Sequence, residues 1–138
     1  MDLYDRKIIG WAYGKNITAE LATQDVKNAC LNIPDTTGIV RHSELGSQYT
    51  SEKFEKYLQD QGILHSFSRK GNHYDNACIE SFHSVLKKEE VYTTTYYTFE
   101  ESKSALFEYI ESFYNRKRRH NALDYKTPQQ VEDEALAA

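Results

Sequence analysis

Two acids stand where an α/β protein can do chemistry. Glu44 follows the strand pattern GIVRHS, and open α/β sheets place their active sites beyond the carboxyl ends of strands. Glu80 lies early in the helix-forming stretch GNHYDNACIESFHSVLKKE, residues 71–89, and 35 residues (45 to 79) separate the two acids. Carboxylates converging from a strand end and a helix start suit Mg²⁺, which takes a few carboxylate oxygens and keeps other positions for water and phosphate. In two-metal phosphoryl transfer the ions sit ~3.5–4 Å apart and clamp the attacking and leaving oxygens, so a third acid must bridge them. The pair is expected on one rim of the sheet, with carboxyl groups within roughly 10 Å.

Charges around these acids extend the pattern. In the 76–90 helix Ile79, Phe82 and Leu86 follow three-four spacing and should be buried, which puts Asn76, Glu80, His83 and Lys87 on the opposite stripe. A solvated helix face gives the same stripe without any function. Arg69 and Lys70 precede the helix in a polar loop. The run NRKRRH, Asn115 to His120, packs the cations Arg116, Lys117, Arg118 and Arg119 into six residues. It reads equally as a helix end with its dipole neutralised and as a phosphate-binding patch. The net charge of −4 (17 basic, 21 acidic) argues against a broadly basic surface but not against a local one.

These residues need a frame. At 138 residues and 39% hydrophobic, the chain is one domain's worth with a modest core. It has no apolar run near the ~18 residues a membrane span needs, and the charged start MDLYDRK is no signal peptide. Cys30 and Cys78 show no pairing or metal spacing, as expected of reduced thiols in an intracellular protein. Residues 3–14 read as strand pieces around a polar turn. A helix is expected from Thr18 to about Leu31, stopped by Pro34. The strand GIVRHS, the loop ELGSQYTS, a helix from Ser51 to Gly62 and the strand ILHSFS come next. Asp75 is expected to cap the helix of Glu80, and VYTTTYY to run as a strand or extended connector. Thr98 with Glu101 fits a capping box for a helix to about Arg118, with Phe99, Leu106, Ile110 and Phe113 as its apolar stripe. Thr127, Pro128 and Gln130 open a last short helix. Strands alternating with helices indicate an α/β layered domain.

Three separated motifs carry a resemblance. HSELGSQYTS, SRKGNHYDNACIESFHSVLKKE and FYNRKRRHNALDYKTPQQ resemble the catalytic core of bacterial insertion-sequence transposases related to retroviral integrases. In that family the strand-end motif reads His-Ser-Asp-x-Gly-Ser-Gln-Tyr-Thr-Ser and the helix motif Asp-Asn-Ala-x-x-Glu-Ser-Phe, with the same spacing between acids. The resemblance implies a ribonuclease-H-like mixed sheet flanked by helices, Mg²⁺ or Mn²⁺, transposon-end and target DNA as partners, homo-oligomers, and a cytoplasmic, nucleoid-associated place in a bacterium with no membrane contact. It implies phosphodiester hydrolysis followed by strand transfer. Glu80 matches the final catalytic glutamate. Glu44 stands at the second catalytic aspartate with one methylene more, and Leu45 stands where a basic residue is common. The family's first catalytic aspartate has no match in this chain, since Asp2 and Asp5 align beyond it. The resemblance therefore leads us to expect a core without its first two strands, 1–126, followed by a helix and tail, 127–138. Ile8, Ile9 and Trp11 would then lie on an unpaired edge, which invites association with another chain. Metal binding is expected to be weak or absent and the chain inactive as written. Glu44 and Glu80 would be the surviving metal ligands, and Arg69, Lys70, Asn76, His83, Lys87, Arg116, Arg118 and Arg119 the DNA contacts.

Other readings compete less well. His42-Ser-Glu44 fits half of a zinc deaminase signature, but the Cys-x-x-Cys half is absent. Eleven tyrosines and an Arg-rich stretch suggest a tyrosine recombinase, yet no Arg–His–Arg–Tyr framework accompanies them. A metal-free domain that only holds DNA or a sister protomer is the stronger rival. Metal titration separates it from an enzyme.

Overall fold

Thr18 opens the first helix as its cap, its hydroxyl accepting the Leu21 N–H at 3.1 Å. That helix, α1, spans Ala19–Cys30. The computed structural model describes residues 1–138, the side chain of His73 excepted. The chain divides into two compact units, Ile9–Ala77 and Met1–Ile8 with Cys78–Ala138.

In the first unit, strands β1 (Val40–Ser43) and β2 (Leu64–Phe67) pair in parallel, with Val40 opposite Leu64 and Ser43 opposite Phe67. Parallel strands need a crossover. Here it holds α2 (Ser47–Thr50), a single turn inside the stretch expected to be loop, and α3 (Glu52–Asp60). Ser51 caps α3 by accepting the Phe54 N–H, and Gly62, at φ 71°, turns the chain into β2 as its type and position predict. Phe54 and Leu58 of α3 are fully buried with Ala22, Val26 and Ile63, while Tyr49, Tyr57 and Cys30 pack around them. Removing the Phe54 ring would cost about 3–5 kcal/mol, the usual penalty for emptying a core aromatic site. Gly10 lies so close to α1 that a Cβ would sit 2.4 Å from the Ala29 nitrogen. No other residue fits there.

The second unit contains α4 (Ala77–Leu86), which widens into a π-helical turn over Lys87–Val91. Residues 92–98 form no strand. α5 (Phe99–Phe107) starts at Thr98, whose hydroxyl accepts the Glu101 N–H at 3.1 Å. The Glu101 carboxylate reaches the Tyr97 N–H instead of that of Thr98, so the expected box closes one residue early. α5 runs on as a π-helix, Glu108–Tyr114, with the Asn115 N–H bonded to the Ile110 carbonyl at 3.0 Å. A bond to the fifth residue back turns the stripe away from three-four spacing. Ile110 is buried as expected, but Phe113 is 41% exposed and Tyr109 and Tyr114 are buried in its place. α6 (Pro128–Ala137) has the complete box between Thr127 and Gln130.

Residues 3–14 form no strand, contrary to their pattern. A strand exists only by pairing its backbone. At Ile8 that pairing comes from a side chain: the Ile8 N–H donates to Asn115 Oδ1 at 2.9 Å, and Asn115 Nδ2 donates to the Ile8 carbonyl at 3.0 Å. Ile8 is therefore buried rather than left on an open edge, and Ile9 and Trp11 are half-buried.

Candidate functional site

β1 ends at Ser43, whose carbonyl accepts the Ser68 N–H at 2.8 Å, and the next residue, Glu44, is exposed beyond the strand. The alternation along β1 explains this, because Ser43 faces inward and its successor must face out. Glu80 is exposed in the first turn of α4, with Phe82 buried and Ile79 and Leu86 half-buried on the other side. Among the described residues neither the Glu44 nor the Glu80 carboxylate has a hydrogen-bond or ion-pair partner. Hard oxygen donors held open in this way suit a divalent cation. The set is incomplete, however: among the described residues no group of three or more His, Cys, Asp or Glu side chains could hold a metal ion. Glu44 and Glu80 belong to different units.

The loop before α4 is organised by a clamp rather than by the expected cap. Asn72 caps a 3₁₀ turn, His73–Asn76, by accepting the Tyr74 N–H at 3.1 Å. Asp75 is occupied elsewhere. Its carboxylate takes the Arg69 N–H at 2.9 Å, the Arg69 Nε at 3.2 Å and Nη2 at 2.9 Å. These bonds from the Arg69 guanidinium and backbone hold the Asp75 carboxyl at about 2, below the usual carboxylate range. Arg69, expected to contact DNA, thus has its guanidinium engaged within the loop. Lys70 beside it is exposed, and Asn76 is half-buried.

The basic run divides in the same way. Arg118 is half-buried, with Nε 2.9 Å and 3.0 Å from the two Glu89 oxygens and Nη2 2.9 Å from one of them. The Tyr109 hydroxyl donates to the same carboxylate at 2.7 Å. Burial, then the bond to Glu89, push the Tyr109 hydroxyl above its ordinary range. Arg116 and Arg119 are exposed, as are His83 and Lys87. Among the described residues, the side chains of Lys70, Lys87, Arg116 and Arg119 make no hydrogen bond or ion pair. These four are available to a phosphate, whereas Arg69 and Arg118 are paired with acids.

His42 shows why half of a zinc signature misleads. Its Nδ1 lies 3.0 Å from Ser66 Oγ and its Nε2 3.0 Å from Ser68 Oγ, so both ring nitrogens are engaged across the strand pair. The sequence reading also missed a chain beneath Glu44, in which Glu55, His65 and Ser43 are joined by hydrogen bonds. Its only sequence signal is His65 and Ser43 at inward positions of neighbouring strands, which no single stretch reveals.

Comparison with known proteins places the fold. Residues 1–73 and residues 61–128 each match a family model described as an integrase core domain. The transposase for insertion sequence element IS904 of Lactococcus lactis subsp. lactis (strain IL1403) is 39% identical over 132 residues, covering 96% of this chain and 52% of that protein. Transposase InsF for insertion sequence IS3A of Escherichia coli (strain K12) is 35% identical over 137 residues, covering 99% of this chain and 48% of that protein. The chain thus spans about half the length of the curated relatives it matches. Among solved structures, the catalytic core domain of BIV integrase superposes with a TM-score of 0.63 at 21% identity, over 90% of this chain and 76% of that one. A chain of the simian T-cell lymphotropic virus intasome, in complex with PP2A regulatory subunit B56 gamma, gives 0.65 at 17% identity, over 86% and 41%. These two likenesses show the fold, the ribonuclease-H-like architecture of retroviral integrase cores. No helix is long and apolar enough to cross a membrane among the described residues. The chain belongs to the integrase core domain family, alongside the insertion-sequence transposases it matches over nearly its whole length.

Proposed function

We propose that this chain is catalytic-core sequence of an insertion-sequence transposase, the part that presents acids and cations to transposon-end and target DNA. The observation that carries the reading is that Glu44, beyond a strand end, and Glu80, in a helix's first turn, are each exposed and without a partner among the described residues, in a family-matched fold. The chemistry of the reading is metal-dependent phosphodiester cleavage followed by strand transfer. Mg²⁺ or Mn²⁺ would supply charge stabilisation, with Glu44 and Glu80 among its ligands. Lys70, Lys87, Arg116 and Arg119 hold the DNA backbone, and Asn76 and His83 lie on the stripe that flanks Glu80. The protein works as a homo-oligomer, in the bacterial cytoplasm on the nucleoid.

The incomplete ligand set favours a second reading for the 138 residues by themselves, a DNA-binding or oligomerisation remnant without catalysis. One experiment separates the two. Labelled transposon-end DNA is incubated with the chain and increasing Mn²⁺, and binding, cleavage and joining are followed together. DNA binding weakened by Lys87→Ala supports the DNA-contact assignment. Binding that ignores metal, with no cleavage, supports the remnant. No DNA binding at all would overturn the first reading and leave the second only its oligomerisation form.

A further inference from the structure

Below Glu44 runs a chain of side chains from three elements. Glu55 on α3 accepts a hydrogen bond from, or forms an ion pair with, Nδ1 of His65 on β2. Nε2 of His65 lies 2.7 Å from Ser43 Oγ at the end of β1. That hydroxyl also donates to the Glu44 carbonyl at 3.1 Å. The His65 side chain is 5% exposed and Ser43 is 6% exposed, whereas the Glu55 side chain is 31% exposed, so the chain enters the interior from the surface and ends at the backbone of residue 44. His65 is further held edge-on by Phe54, ring centroids 5.6 Å apart, and lies 4.0 Å from Phe67. With Ser43's own carbonyl bonded to the Ser68 N–H, both polar ends of Ser43 are fixed.

A serine, histidine and glutamate joined in this order can serve nucleophilic catalysis. Here Ser43 is buried, and its hydroxyl is spent on His65 and a backbone carbonyl. The arrangement orients instead. We infer that Ser43, His65 and Glu55 are positioning residues that fix the backbone of Glu44 and thereby the point at which its side chain leaves the strand end. This rests on the reading of Glu44 as a cation-binding acid. It adds that the backbone carrying the strand-end carboxylate is held by a three-residue chain anchored on α3. Loss of the outer groups that support a metal ligand typically costs 10–100-fold in affinity.

The test uses Mn²⁺ alone as the probe, read by NMR broadening of the Glu44 amide and side-chain signals, with thermal unfolding measured in parallel. Glu55 lies at the surface, so its variants keep the core intact. Glu55→Ala and Ser43→Ala should each weaken Mn²⁺ broadening at residue 44 by about tenfold. Glu55→Gln, which still accepts the His65 N–H, should retain it. A purely structural role would lower the unfolding temperature in proportion and leave the broadening of the folded protein unchanged. Equal Mn²⁺ response in wild type, Glu55→Ala and Ser43→Ala overturns the positioning role while leaving Glu44 as a cation-binding acid. A wild-type response that Glu44→Gln fails to abolish overturns that reading, and the inference with it.

Discussion

The amide of Asn115 is paired to the backbone of Ile8 through both of its polar ends, at 2.9 Å and 3.0 Å. Asn115 is 1% exposed, and its own carbonyl accepts the Gln129 N–H at 2.9 Å, so one residue ties the N-terminal segment, the π-helical turn and α6. Asn115→Leu keeps the volume but leaves the N–H and carbonyl of Ile8 without partners. Each buried group so orphaned costs about 1–3 kcal/mol. The midpoint of urea unfolding should fall accordingly, and residues 1–8 should become open to protease. Asn115→Asp should fail as well, because a carboxylate cannot donate to the Ile8 carbonyl. An unchanged midpoint for Asn115→Leu would refute the clamp.

The cations of the 115–120 run should separate into two classes. Arg118 is committed to Glu89, and Arg118→Ala should cost roughly 0.5–1 kcal/mol of stability, since the pair is partly exposed and screened. Its effect on DNA affinity should be small. Arg116→Ala and Arg119→Ala should do the reverse, leaving stability alone and reducing the salt dependence of DNA binding by about one unit per lost phosphate contact. Denaturation and salt-titrated binding on the same three variants decide it. Arg118→Ala with the largest loss of affinity would reverse the assignment.

Much of the scaffold was legible because it rests on local rules. Thr18, Ser51, Thr98 and Thr127 all cap helices, and each was marked by its type and by the pattern after it. β1 and β2 were legible from short apolar runs, and Glu44 and Glu80 from their places at element ends. What failed was non-local. Residues 3–14 have strand composition, yet Ile8 pairs with a side chain more than a hundred residues away. The π-helical turns shifted Phe113 outward and Tyr114 inward, a change of period that apolar spacing cannot announce. Arg69 and Arg118 read as free cations because their acids, Asp75 and Glu89, lie six and twenty-nine residues away on other turns. A charge reads the same in sequence whether paired or free.

Acid should loosen the second unit before its carboxylates titrate. Burial lowers the His120 pKa below its ordinary value, and neighbouring Arg118 lowers it further, against a bond to the Tyr114 backbone and the charge of Glu89, which raise it. A histidine whose folded pKa is depressed takes up its proton more readily when unfolded. Its contribution is therefore complete above the unfolded value of about 6.5 and is lost as pH falls through and below it. Unfolding midpoints measured from about pH 8 to about pH 5 should decline, and His120→Gln should flatten the decline. A wild-type midpoint constant across that window would show that His120 does not titrate with unfolding.

The 138-residue chain by itself should show no measurable strand transfer. The resemblance gives the family's first catalytic aspartate no match among these residues, which leaves Glu44 and Glu80 without a bridging acid to fix the separation of two ions. Glu44 adds a second defect. Against aspartate at that strand end, its extra methylene adds about 1.5 Å of reach, where a catalytic group tolerates roughly 0.5 Å of misplacement. In-line attack needs both reacting oxygens held in place, and misplacement on that scale costs orders of magnitude in rate. Glu44→Asp alone should not rescue activity, because shortening one ligand supplies no third. The assay is cleavage and joining of labelled transposon-end DNA in Mn²⁺, the more permissive ion. Joining by the unaltered chain that Glu80→Gln abolishes would mean that two carboxylates suffice, and the requirement for a bridging acid would have to be given up.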